Sequence, residues 1–312
     1  MAVPGIASTL TEQVAAAGYT GAWWSLRHVP APVARRSFDL LADQLWATRS
    51  GGIDQLERNL QRVLGPETSH DDLRRASREA ARSYLQYWCD VFRLPSMPVE
   101  VVRRRCTVDG FDRVVQATEA GRGVVLVLGH CGNWDLVGAW LADRIGGFTT
   151  VAEHLKPESL HRRFLAYRRS LGMEVLPLDA GARTVATLGQ RLRAGGVVCL
   201  LADRDLTGSG QVVDLFGEPA RIASGPAALA AATGALLLPV EVWIERDRDF
   251  ALRTVIHDPI AIADDLERQA AVGRATDEFA RRLETFIAAR PTEWHMMQPV
   301  WLADRHDDGR GR

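Results

Sequence analysis

His130 and Asp135 stand five positions apart, with four residues between them, at the end of the run Val124-Val-Leu-Val-Leu-Gly-His-Cys-Gly-Asn-Trp-Asp135. An imidazole that changes charge near neutral pH and a carboxylate that holds it are the two groups a general base needs. Positions five apart on one continuous helix are rotated by ~140° and face apart. The pair therefore meets only if His130 lies on a turn and Asp135 on the first helical turn, and Gly132 permits such a turn. Placed there, Asp135 gains from the positive end of its helix, stays ionised, and holds one imidazole nitrogen while the other acts as base. Such a base is typically worth ~10²–10⁴-fold in rate. Taken singly, His130 reads as a strand-end histidine with one structural hydrogen bond and Asp135 as an ordinary helix-start aspartate. Together they read as a His–Asp dyad without a serine.

The elements that must position this pair follow from hydrophobic periodicity. Short apolar runs at 124–128, 148–152, 174–178, 197–201, 211–216 and 236–244 predict strands. Amphipathic stretches at 133–144, 157–171, 184–193 and 224–233 are long enough to cross over between strands of one sheet. A further helix over 264–289 ends before Pro291. Residues 54–64 and 71–92 carry helical spacing with Gly65-Pro66 between them, so the first 110 residues read as a helical lead-in. The expected fold is α/β, a central mixed β-sheet flanked by helices on both sides. It forms a single domain over 1–304, with the 1–110 lead-in packed on the 111–304 core and a charged tail at 305–312.

Asp203 follows the run 197–201, where ligands collect in open α/β sheets, which gives it a role in binding a hydroxyl or orienting His130. The alternative is a salt bridge from Asp203 or Asp205 to a neighbouring arginine. Cys131 adjoins the base but projects differently and lacks a third group to orient a thiolate. His154, His161, His257 and His295 lack metal-ligand spacing, so no metal is expected. Gly121, Gly123 and Gly129 form neither dinucleotide nor P-loop signatures. Small residues in 224–234 suit close helix–sheet packing or a narrow slot for a straight apolar chain.

A chain of 312 residues with 46% hydrophobic and 25% charged residues builds a sizeable core, and its net charge of −1 argues against nucleic acid as a partner. Cys89, Cys106, Cys131 and Cys199 are scattered without CxxC spacing, which points to a reducing compartment. No stretch reaches the ~18 uninterrupted apolar residues of a spanning helix. Residues 22–38 mix Trp23, Trp24, Leu26, Val29 and Phe38 with Arg27, Arg35 and Arg36, as interfacial segments do; the same tryptophans also suit a core. Lys156, Arg162, Arg163, Arg168 and Arg169 cluster on one helix, either as a solvated face or as a contact for anionic lipid or coenzyme A phosphates.

From about residue 18 to 304 the chain resembles the HX4D acyltransferases of the lipid A lauroyl/myristoyl type, and among them the members that acylate phosphatidylinositol mannosides. The matching stretches include Gly129-His-Cys-Gly-Asn-Trp-Asp135, Phe148-Thr-Thr-Val-Ala-Glu-His-Leu-Lys-Pro-Glu-Ser-Leu160, Tyr167-Arg168 with Ser170-Leu-Gly172, Ala202-Asp-Arg-Asp-Leu206, Gly225-Pro-Ala227 and Glu293-Trp-His-Met296. The resemblance implies a glycerolipid acyltransferase-like fold. It further implies transfer of a long acyl chain from acyl-CoA to the 6-hydroxyl of the mannose at the inositol 2-position, with His130 as base, Asp135 as its partner and no acyl-enzyme. Arg168 aligns with an active-site arginine, and Asn133, Glu153 and Arg204 fall in matched motifs as further contacts to substrate or oxyanion. Acyl-CoA is then a co-substrate and no cofactor is needed. The partners are a phosphatidylinositol mannoside and an anionic membrane surface at the cytoplasmic face of the plasma membrane. The sequence departs from the mannoside-acylating members in reading Asp203-Arg204-Asp205 where they carry a glutamate. A glycerol phosphate or lipid A-like acceptor, thioester hydrolysis, and a non-catalytic lipid-binding protein of the same fold stay open at this point.

Overall fold

The computed structural model describes residues 26, 28–153, 158–248 and 250–305, without the side chains of 158–161, 163 and 305. The expectations placed on Trp23, Trp24, Arg27, His154, Lys156, the side chains of His161 and Arg163, and the tail beyond 305 lie outside these.

Among the described residues three long helices precede the sheet: α1 (Ala31–Ala47), α2 (Ile53–Leu64) and α3 (His70–Arg93). Ser69 starts α3 by accepting the Asp72 backbone N–H at 3.1 Å, which satisfies one of the orphan donors of the first turn. Its apolar positions face two ways. Leu85, Cys89 and Phe92 meet Ala34, Phe38 and Ala42 of α1, while Ala80 and Ala81 meet Ile53, Leu56 and Leu60 of α2. The outer side of α1 leaves Val33, Leu40 and Leu41 exposed.

The rest of the chain is α4 (Val99–Arg105), β1 (Cys106–Asp109), α5 (Asp112–Glu119), β2 (Val124–Leu128), α6 (Trp134–Ile145), β3 (Phe148–Ala152), α7 (Glu158–Ser170), β4 (Met173–Pro177), α8 (Ala182–Arg193), β5 (Val197–Leu201), β6 (Gln211–Leu215), β7 (Glu218–Ile222), α9 (Gly225–Thr233), β8 (Leu236–Glu245), β9 (Ala251–Ile256), α10 (Arg268–Ala289) and the short α11 (Leu302–Arg305). Seven strands form one mixed sheet in the order β1-β9-β8-β2-β5-β3-β4, with β1 and β9 running against the other five. The strands β7 and β9 were not expected from the apolar runs, and two further details differ. Residues 106–109, assigned to the helical lead-in, form an edge strand, and the run beginning at Gln211 pairs with β7 in a separate hairpin.

β2 is buried along its whole length, as a central strand covered on both faces must be. Its side chains alternate: Val124, Leu126 and Leu128 pack with Leu136 and Trp140 of α6 and Phe164 of α7. Val125 and Val127 pack with Leu188 of α8, Leu229 of α9 and Phe279 of α10. The connection leaving β2 therefore crosses one face through α6, and the one leading from neighbouring β5 to β8 crosses the other through α9. That divergence is a topological switch point, where the carboxyl ends of adjacent parallel strands part to leave a crevice.

Candidate active site

His130 sits in this crevice, in the turn between β2 and α6. Gly132 adopts φ +58°, and a side chain there would place its Cβ 2.9 Å from Trp243 Cα, so only glycine fits. Asn133 caps α6 through Oδ1, which accepts the Leu136 N–H at 2.9 Å. The turn is gripped from the far end of the sequence: Gly132 N–H donates to the Glu293 carbonyl at 3.0 Å, and His295 N–H donates to the His130 carbonyl at 2.8 Å. Cys131 and Trp294 face each other as an antiparallel bridge.

The imidazole is held by Asp203, just beyond β5. Nδ1 of His130 lies 2.7 Å from Oδ1 of Asp203, while Oδ2 accepts the His130 backbone N–H at 2.8 Å and the Trp294 indole N–H at 2.9 Å. Asp203 is fully buried, which by itself raises its pKa; the His130 charge, the His130 hydrogen bonds and the Trp294 bond outweigh that and hold it below the ordinary carboxylate value. An ionised carboxylate only accepts, so Nδ1 carries a proton, and in the neutral ring the lone pair is then on Nε2. The histidine side chain is 21% exposed and lines the cavity described below.

Asp135 has other partners, and here the structure corrects the sequence reading. Its Oδ1 accepts Arg168 Nε–H at 2.8 Å, and its Oδ2 accepts the Tyr87 hydroxyl at 2.7 Å and Arg168 Nη2–H at 3.2 Å. No hydrogen bond joins it to His130. His130 lies on the turn and Asp135 on the first helical turn, as the spacing required, but the carboxylate is directed at α3 and α7. Trp134 lies between the two groups, its ring stacked on Tyr87 at 4.1 Å and edge-on to His130 at 5.2 Å. Burial, reinforced by Asp135, raises the Tyr87 pKa well above the ordinary phenol value, so the hydroxyl stays a donor. Burial works against the Arg168 charge, but Asp135 more than offsets it and the guanidinium pKa rises.

A cavity of about 320 Å³ opens beside His130 and extends over the face of the sheet. Leu126, Leu128 and Val240 form its floor, and Gly138, Trp140 and Phe164 cover it. Asp135 and Arg168 stand in its wall, as do Glu153 and Arg204, which pair with each other at 3.1 Å across the ends of β3 and β5. Of the expected substrate contacts, Arg168, Glu153 and Arg204 thus line the cavity. Asn133 does not: it is buried, spent on the helix cap, and its Nδ2 donates to Asp90 at 3.4 Å. The Cys131 thiol is pushed well up by burial, then by Asp203, which removes the thiolate a nucleophile would need. Among the described residues no group of three or more His, Cys, Asp or Glu side chains is placed to hold a metal.

Two residues of this site were not singled out from the sequence. Tyr87 lies 48 positions before its partner, on an amphipathic helix where an aromatic reads as core. Trp294 stood inside the matched Glu293-Trp-His-Met296 stretch with no role attached; a tryptophan between two ionisable residues and fully buried needs a partner for its N–H, and that was the available signal. The arrangement offers an imidazole nitrogen with no hydrogen-bond partner among the described residues beside an apolar cavity, which suits removal of a proton from a hydroxyl brought against an apolar, acylated reactant.

The chain is similar in sequence to known proteins. Residues 8–303 match the family model described as bacterial lipid A biosynthesis acyltransferase. The phosphatidylinositol mannoside acyltransferase of Mycolicibacterium smegmatis is 45% identical over 306 residues, covering 97% of this chain and 96% of that protein. The enzyme of the same name from Mycobacterium tuberculosis is 45% identical over 310 residues, covering 98% and 94%. The chain belongs to the bacterial lipid A biosynthesis acyltransferase family.

Proposed function

We propose that this protein transfers a long, palmitoyl-type acyl group from acyl-CoA to the 6-hydroxyl of the mannose at the inositol 2-position of a phosphatidylinositol mannoside. The observation that carries the reading is the imidazole of His130, bonded to Asp203 through Nδ1 and lining an apolar cavity. The mannoside acceptor is taken from the relatives named above. The hydroxyl proton passes to Nε2 as the oxygen bonds to the thioester carbon, and the ionised Asp203 stabilises the imidazolium. The tetrahedral oxyanion then collapses with cleavage of the carbon–sulfur bond, and the leaving thiolate takes the proton from the imidazolium. Arg168 in the cavity wall supplies positive charge toward the oxyanion, reduced by its pairing with Asp135. The acyl chain occupies the cavity between α6 and the sheet, and Glu153 and Arg204 meet the polar parts of the reactants. No cofactor or metal enters this scheme.

The acceptor is a membrane lipid, so the protein acts at a membrane surface, and we place it at the cytoplasmic face of the plasma membrane where acyl-CoA is available. Two features support a peripheral attachment. No helix among the described residues is long and apolar enough to cross a bilayer, and α1 exposes Val33, Leu40 and Leu41 on one side. Incubation with radiolabelled palmitoyl-CoA and mannosylated phosphatidylinositols tests the whole reading. Label in the acylated mannolipid is the expected result, and the absence of both labelled lipid and released coenzyme A with every acceptor would contradict the reading.

A further inference from the structure

Asp203 carries a negative charge in a place that excludes water, and a buried carboxylate survives ionised only if donors replace its hydration. It has three: His130 Nδ1–H, the His130 backbone N–H and the Trp294 indole N–H. The first belongs to the group that gains and loses protons during catalysis, while the other two persist throughout. Both of these bind Oδ2, which leaves Oδ1 turned toward the imidazole.

The indole itself cannot drift. Trp294 is fully buried and packs edge-on against Trp301 at 6.0 Å, and Trp301 is fixed by its own N–H bond of 2.9 Å to the Leu215 carbonyl. Its backbone neighbours hold the other half of the dyad: Glu293 accepts from Gly132 and His295 donates to His130. One tripeptide, 293–295, therefore grips the base by its backbone and the carboxylate by a side chain, and so sets the distance between them.

We propose that Trp294 is a positioning residue of the transfer reaction, its indole N–H fixing Asp203 so that the carboxylate orients His130 and stabilises the imidazolium. This rests on His130 being the base. Trp294 touches no substrate; it acts through Asp203. A hydrogen bond to a charged acceptor, lost without refilling the site, lowers the rate by roughly 10- to 100-fold when it matters only as charge develops. Deprived of this donor, Asp203 becomes more basic and the histidine–carboxylate pair holds its proton more tightly.

The test replaces Trp294 in the full chain by phenylalanine, and separately by benzothienylalanine, which keeps the ring shape and exchanges the N–H for sulfur. With labelled palmitoyl-CoA and mannosylated phosphatidylinositols, both variants are expected to lose kcat by roughly 10- to 100-fold with little change in KM. The acid limb of the kcat/KM profile is expected to move to higher pH. A Trp294→Phe variant that fails to fold leaves the benzothienylalanine protein to decide. Wild-type kcat and an unmoved acid limb in that protein overturn the proposal. A His130→Ala variant is assayed beside them: full transfer by it would overturn the base assignment itself, whereas loss of transfer there with an unaltered benzothienylalanine protein rejects only the role of Trp294.

Discussion

Asp203 and Asp135 are both buried aspartates lining or adjoining one crevice, yet they do different work because they face different partners. Asp203 meets a group that can gain and lose a proton, whereas Asp135 meets a guanidinium that keeps its charge and a phenol that keeps its proton. The first pairing can respond to a reaction. The second ties α6 to α3 and α7 and holds the Arg168 charge in the cavity wall. The lesson is that a carboxylate near a histidine in sequence is not thereby its partner; the donors within reach decide.

Neutralising each carboxylate in turn separates the two roles. His130→Ala and Asp203→Asn are each expected to lower kcat by ~10²–10⁴-fold in the labelled-lipid assay, since the asparagine no longer stabilises the imidazolium and can present an N–H to Nδ1. Asp135→Asn should act chiefly on stability. Leaving Arg168 buried and unpaired costs about 3–5 kcal/mol, measurable as a lower midpoint in urea unfolding. Adding Arg168→Met to that variant should recover part of the loss, because removing both charges is cheaper than stranding one. A comparable stability loss in Asp203→Asn with a normal rate would reverse the two roles.

His295 sharpens the picture from a third direction. It lies near Tyr87 and Trp134, accepts or donates a 2.9 Å bond with Ser83, and burial, with the His130 charge second, pulls its pKa from 6.5 down to about 3. The folded protein thus keeps this histidine neutral where the unfolded chain protonates it. Between pH 6.5 and about 3 the unfolded state binds more protons, so stability falls as pH is lowered through that window. The fall from this residue reaches up to about 4 kcal/mol at its lower end. Denaturant midpoints collected across that range should decline in the wild type and flatten in His295→Gln. The smallest effect expected is in the cavity wall. An added Cβ at Gly138 comes 2.8 Å from Met173 Cε and 3.4 Å from Phe148, so Gly138→Val narrows the cavity. Its kcat/KM should fall roughly tenfold for long-chain acyl-CoA and little for short-chain donors.

Much of the scaffold was legible in the sequence because buried strands and amphipathic helices write their periods locally. Residues 124–128, 148–152 and 197–201 form the strands their apolar runs predicted, and α9 begins one residue inside the stretch 224–233. β1 has only four residues, too few to show a period, and it was absorbed into the helical lead-in. The run beginning at Gln211 announced a strand but not its partner, since pairing with β7 is a tertiary choice. The site divides the same way. The turn carrying His130 was visible in its glycine and its strand end. Asp203, 73 positions away, was reached from its place just past a strand end and not from spacing, and the phenol and guanidinium that bind Asp135 lie 48 and 33 positions away, distances over which spacing carries no information.

The central claim, that the carboxylate beyond β5 holds the imidazole, is most directly read from the Nδ1 proton of His130 in histidine-labelled protein by NMR. The account predicts a strongly deshielded Nδ1–H signal that vanishes in Asp203→Asn and persists in Asp135→Asn. Its loss in Asp135→Asn with retention in Asp203→Asn would contradict the account.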